Sequence, residues 1–342
     1  MIEQPGPDAL DTAQPTGTNR PAGAGGSSPE LAQRAAVEAR TPMALAFARL
    51  RHDRVAIGAA VLLVILILLA ICAPLVAKLT GHGVNQQLPS EGLTPDGFPV
   101  TPNSSFLLGA DQLGRDVLVR TLYGARISLL VGIVATAIAL VVGTIVGVIA
   151  GFVGGRTDTV LSRVIDIFLS FPFLVTALTL VALNRDAQGQ PRTNPIILVM
   201  VVISLFTWTF FARLIRGQVL SLREREFIEA ARSLGASNRR IMMVDLLPNL
   251  VAPMIVYATL QIPLNIVFEA TLSYLGVGVR PPTPSWGNMI NDAQSSAFYQ
   301  TQPAFLLGPG IALLLTVLAF NLLGDGLRDA LDPRSSRTMA KD

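Results

Sequence analysis

Long apolar runs alternate with short polar ones along most of this chain. Val55 to Ala77 carries no charged residue over 23 positions, enough helix to cross roughly 30 Å of hydrocarbon. Further apolar runs cover Ile127 to about Gly155, Ile167 to Asn184, Pro195 to Ala212, Leu246 to about Gly276, and Ala304 to Gly324. Together they predict six transmembrane helices in an all-α polytopic membrane protein. Pro172 sits inside the third run. It lacks a backbone donor and predicts a kink there.

Two stripes stand out within these runs. In the second, Ala135, Ala139, Gly143, Gly147, Gly151 and Gly155 recur every four residues. A small-residue face of this kind lets another helix approach closely, and it predicts a packing seam. In the fifth, Gln261, Asn265, Glu269 and Ser273 form a polar line on an apolar helix. An ionisable group inside a span is costly and faces either protein or water. The line therefore has two readings, a translocation pathway or interhelical hydrogen bonding, with Glu269 placed near the outer interface as a variant of the second.

The polar segments organise the rest. Residues 1–40, rich in Pro, Gly, Ser, Thr and Ala without apolar periodicity, predict a disordered tail. Residues 41–54, mixing Met43, Leu45, Phe47 and Leu50 with three arginines, predict an amphipathic segment on the membrane surface. The first helix is expected over 55–77 and a polar connection over 78–126. In that connection Gly109 and Gly114 punctuate a turn, and Asp116 can pair with Arg120 one turn on. Arg156 to Asp166 reads as a short charged turn with Asp166 near Arg163, and Arg185 to Asn194 as a polar loop. Pro281, Pro282 and Pro284 extend the loop 278–303, where Trp286 suits an interfacial anchor. A core over 127–333, containing a charged loop at 213–247, and a C-terminal tail over 334–342 complete the division.

Composition sharpens this picture. Only 14% of residues are charged, against about 25% in a soluble domain, and mean hydropathy is +0.53. A net charge of +3 is too small to suggest nucleic acid. The one cysteine, Cys72, excludes an intrachain disulfide and a cysteine-built zinc site, and His52 and His82 are too few for a metal cluster. Cys72 also lies too deep in the chain for a lipoprotein or cleaved-signal reading. Of the 26 Lys and Arg, 19 fall in the N-terminal tail, the 156–163 turn, the 213–240 loop and the C-terminal tail. The positive-inside rule places those segments, and both termini, in the cytoplasm.

The most distinctive stretch is EFIEAARSLGASNRRIMMVDLLPN, Glu226 to Asn249. Phe227, Ala231 and Leu234 recur at helical spacing, with Arg225, Glu229 and Arg232 on the other side. Gly235 supplies a helix stop and Ser237 a cap for a second short helix carrying Arg239 and Arg240. Glu229-Ala230-Ala231, Gly235 and Leu247-Pro248 resemble the EAA loop of binding-protein-dependent ABC-transporter permeases. Asp245 departs from that pattern, which has an apolar residue there. Leu107 to Leu129, Glu269 to Ile290 and Leu315 to Pro333 are similar to segments of the C-type permease subunit of the dipeptide/oligopeptide/nickel group, with Ala110 where threonine is more usual.

The resemblance implies a type I importer permease whose coupling helix docks on an ATPase. Glu229, Ala230, Ala231 and Gly235 would carry coupling, with Arg232, Arg239 and Arg240 at its rim and Pro248 closing the motif. It implies a homologous second permease, two ATPase subunits that hold ATP and magnesium, an extracytoplasmic binding protein, and a peptide or nickel-chelate cargo, in a bacterial plasma membrane. This chain itself is expected to bind no cofactor and to be no enzyme. A P-loop needs GxxxxGK[ST], and the only lysines are Lys78, followed by Leu79, and Lys341, followed by Asp342. A secondary transporter, with inverted repeats or several buried ionisable residues, and a membrane scaffold are the readings from other classes.

Overall fold

The computed structural model describes residues 48–184, 186, 190–295 and 298–331. The expectations for 1–40, for 41–47 and for 334–342 lie outside the described residues. Ten helices carry the fold: α1 (Arg54–Ile71), α2 (Ala73–Thr80), α3 (Val117–Val153), α4 (Gly155–Ser170), α5 (Phe173–Leu183), α6 (Pro195–Leu222), α7 (Glu226–Ser233), α8 (Leu247–Tyr274), α9 (Trp286–Ser295) and α10 (Pro303–Leu331). Among the described residues, five helical stretches are long and apolar enough to cross a membrane, and α4 with α5 makes a sixth if the bent pair counts as one span.

Asp53 caps α1 by accepting from the backbone N–H groups of Val55 and Ala56. The small faces of α1 and α10 then meet. A Cβ on Gly326 would come within 2.5 Å of the Ala56 methyl. The helix expected over 55–77 is broken at Cys72, which precedes α2 with Pro74 in its first turn, and α2 is closed by Gly81 with a left-handed φ of 76°.

The second span begins earlier than the apolar run. Asp116 accepts from the Val119 N–H and caps α3, so the helix runs 37 residues from Val117, about 55 Å. The charges of its first turns are buried and paired inside the protein. The small-residue seam is present: a Cβ on Gly143 would meet Trp208 O and Phe211 Cβ at 2.5 Å, and one on Gly147 would meet Ala212 O at 2.7 Å. Helix α6 therefore lies against the backbone of α3. Gly155 is not part of the seam; it turns the chain with a φ of 54° and faces open space.

Residues 156–166 are helical rather than a turn, since Gly154 and Gly155 reverse the chain directly into α4. The kink expected at Pro172 is a bend of 84° between α4 and α5, with Phe171 extended as a residue before proline must be. Two local pairings also differ. Asp166 bonds Arg213 of α6 at 2.9 Å rather than Arg163. Asp116 lies 2.7 Å from His82 Nδ1, while Arg120 reaches Asp111. Trp286 is not an interfacial anchor: it is fully buried and donates its indole N–H to Thr121 O.

Candidate functional site

The elbow is built on α7. Acidic Glu226 and Glu229 occupy its first turn and Arg232 its last, the order that complements the helix dipole. The helix closes with two backbone bonds, Gly235 N–H to Arg232 O and Ala236 N–H to Ala231 O. This is a Schellman arrangement, and it requires the left-handed φ of 79° that Gly235 adopts. Ser237 then caps the following turn by accepting from Arg240 N–H at 3.4 Å. Residues Ile241–Leu246 form a π-helical stretch that leads into α8, and Asp245 is half-buried there, its carbonyl accepting from Asn249.

The elbow is anchored through a different residue from those at 227, 231 and 234. Ile228 is fully buried, packed with Ile241, Leu246 and Leu250 against Val148 and Phe152 of α3 and Ile215 and Val219 of α6. Ala231 packs beside this cluster. Phe227 is 43% exposed and Leu234 88%. Glu229, Ala230, Arg232, Gly235, Arg239, Arg240 and Pro248 are all exposed. Arg232 lies 5.6 Å over the Phe152 ring; among the described residues, Glu229 makes no ion pair with Arg225 or Arg232. The sequence signal for Ile228 was its spacing of three from Ala231, which competes with the stronger Phe227 and Leu234 pattern.

Two arginines of α6 fasten the base of the elbow. Arg223 donates to Gly151 O at 3.1 Å. Arg216 grips Asp158 of α4 through Nε and Nη2.

The polar line on α8 divides. Glu269 and Asn265 are fully inaccessible and Ser273 nearly so. Ser128 of α3 and Ser273 each donate to the Glu269 carboxylate at 2.6 Å. Asn265 donates to Thr136 of α3 at 2.9 Å and accepts from Gln261 at 3.1 Å. Glu269 and Asn265 join α8 to α3 through these bonds, and Ser273 braces Glu269 from within α8, so this conformation shows interhelical hydrogen bonding along the line. Gln261 also borders an open groove, about 340 Å³ between α6 and α8, together with Tyr257, Phe210 and Arg213. Ser128 and Thr136 were not singled out from sequence. They lie about two turns apart on α3, facing Glu269 and Asn265, which lie about one turn apart on α8.

At the opposite end of α3 a cap gathers the other buried charges. Arg115 Nε reaches Asp111 at 2.6 Å, Arg120 reaches the same carboxylate at 3.4 Å, and Arg115 lies 4.0 Å from Asp292 of α9. Burial pushes the Asp292 carboxyl above its ordinary range, opposed by Arg115 and Arg120. Among the described residues, no three His, Cys, Asp or Glu side chains gather as a metal site would need.

Known proteins are similar to this chain in sequence and in fold. The family described as "Binding-protein-dependent transport system inner membrane component" matches residues 143–337. The "N-terminal TM domain of oligopeptide transport permease C" matches 41–95. The oligopeptide transport system permease protein OppC of Escherichia coli K12 is 42% identical over 298 residues, 87% of this chain and 93% of that one. The dipeptide transport system permease protein DppC of Alkalihalophilus pseudofirmus is 40% identical, over 86% and 90%. The glutathione transport system permease protein GsiD of Shigella flexneri is 40% identical, over 87% and 92%. In fold, the chain is similar to a chain of the MetNI methionine ABC transporter solved in inward-facing conformations, with a TM-score of 0.50 at 20% identity, covering 63% of this chain and 96% of that one. A secondary transporter is thereby set aside. With the elbow, the apolar spans and these matches together, the chain belongs to the binding-protein-dependent inner-membrane components, the permease subunits of ABC importers.

Proposed function

We propose that this subunit imports peptides, that α7 and the turn after it are the surface on which an ATPase subunit docks, and that this surface faces the cytoplasm. The carrying observation is the split face of α7. Ile228 fastens it to α3 and α6, while Phe227 and Leu234 stand in solvent beside Glu229, Arg232, Arg239 and Arg240. An exposed apolar pair ringed by charge, held rigidly by its own buried anchor, is the anatomy of a docking knob.

Energy reaches the chain through that knob, since no P-loop is encoded here. ATP-driven closure of two ATPases would move α7, and Arg216, Arg223 and the Ile228 cluster would pass the movement to α3, α4 and α6. A homologous second permease would complete the pathway, and an extracytoplasmic binding protein would deliver the cargo. Peptide is the favoured cargo because the similar proteins are named for oligopeptide, dipeptide and glutathione transport. Among the residues of the α8 line, Gln261 is the one whose position suits the pathway.

The test is reconstitution of the complete transporter in vesicles. Gly235→Pro, which cannot adopt the left-handed φ, and Leu234→Asp are expected to leave the subunit inserted and to abolish stimulation of ATP hydrolysis by loaded binding protein. Stimulated hydrolysis and peptide uptake at wild-type rates in both variants would refute the docking assignment.

A further inference from the structure

At the end of α3 remote from the elbow, α1 and α3 diverge and leave a groove of about 600 Å³. Its walls are apolar: Ile67 and Ile71 come from α1, Leu130 and Ile133 from α3. Ile71, Leu130 and Ile133 are all exposed, so the groove opens sideways into whatever surrounds the helices. One rim is different in kind. Arg126 and Tyr123 of α3 stand there with Asn85 and Thr283 from the two loops above. The Arg126 guanidinium lies 5.5 Å over the Tyr123 ring, and among the described residues it has no carboxylate partner. Among the described residues, the Tyr123 and Thr283 hydroxyls donate to no protein acceptor. Asn85 uses its carbonyl oxygen to accept from Arg120 at 3.2 Å, which leaves its amide N–H₂ as a donor.

An apolar slot that ends in hydrogen-bond donors and one unpaired cation matches an amphiphile with an anionic head. We propose that the groove holds one phospholipid of net negative headgroup charge, its phosphate against Arg126 and an acyl chain along Ile67, Ile71, Leu130 and Ile133. Guanidinium suits the phosphate because its planar fork presents paired donors to two oxygens. A zwitterionic headgroup would bring an amine as well, and no carboxylate lines the groove to receive it. An apolar transmembrane helix is the competing occupant, but it would bring no group to pair with Arg126.

The full chain, purified in mild detergent with its co-purifying subunits, can be equilibrated with phosphatidylglycerol or phosphatidylcholine and its retained lipid counted by native mass spectrometry. The wild-type protein is expected to retain phosphatidylglycerol in preference. Arg126→Gln should lower that retention about fivefold, the weight of one basic residue at an anionic surface, and leave phosphatidylcholine unchanged. Arg126→Lys should keep most of it, and Ile133→Trp, which fills the slot, should lower retention of both lipids. Equal retention of the two lipids by the wild-type protein overturns the proposal. So does phosphatidylglycerol retention unchanged in both Arg126→Gln and Ile133→Trp. Efficient capture of the companion permease by a photo-crosslinker on Leu130→Cys, in a Cys72→Ala background, also overturns it, because the groove would then be a subunit interface.

Discussion

The two ends of α3 handle charge in opposite ways. At the cap, Asp111, Arg115, Arg120, Asp116 and His82 are buried and meet one another across loops and helices. At the elbow, Glu229, Arg232, Arg239 and Arg240 are exposed, and the buried anchor is the apolar Ile228. A buried charge needs its partner within the same chain, because the alternative is an uncompensated ion in a low-dielectric interior. An exposed charge is free to serve a second protein. The cap is therefore finished as it stands, while the elbow is shaped for something that arrives.

This contrast can be broken most forcefully at the cap. Asp111→Ala leaves Arg115 and Arg120 without their shared carboxylate, and breaking a buried pair typically costs about 3–5 kcal/mol. The expected result is a large fall in the melting temperature of the detergent-purified chain, or failure to accumulate in the membrane. Next comes the elbow's anchor. Ile228→Ala removes a fully buried side chain, expected to cost about 2–4 kcal/mol, and differential scanning fluorimetry would register it as a smaller fall.

The outward face should behave otherwise. Leu234→Ser and Arg239→Ala are expected to shift stability by no more than about 0.5 kcal/mol while transport coupling falls. Equal destabilisation by the Ile228 and Leu234 changes would erase the distinction between anchor and knob.

The smallest effect concerns pH. Because burial raises the Asp292 carboxyl above its ordinary 3.8, the folded chain holds that proton more tightly than the unfolded one. Its contribution to stability is fully present below the ordinary value and is lost as pH rises through the raised one. A melting-temperature profile across mildly acidic pH should therefore slope downward on this account, and Asp292→Asn should flatten that component.

Much of this architecture was legible in the sequence, and the gaps have physical reasons. Apolar run length located the spans, and the four-residue repeat from Ala135 to Gly151 located the seam with α6, because close backbone approach tolerates no side chain. Gly235 and Ser237 were legible because caps are local chemistry. The start of α3 was not, since Arg120 and Asp116 look like surface charges until the turn before the helix folds Asp111 back onto Arg120 and His82 arrives from 34 residues away. Apolar periodicity reports removal from water and does not distinguish lipid from protein, so the face of α8 carrying Glu269 could not be assigned before Ser128 and Thr136 were seen opposite. Ile228 was hidden for a related reason: a helix with apolar residues on two sides does not reveal which side a neighbour covers.

Helix α3 has one further consequence. It carries the charged cap at its first turns, receives the elbow near its last, and has no proline along its length. Over about 55 Å, a tilt of 5° displaces one end relative to the other by roughly 5 Å. A proline-free helix of this span ties the cap and the elbow into mechanically one object, so a push at the proposed docking surface would meet no proline hinge along α3.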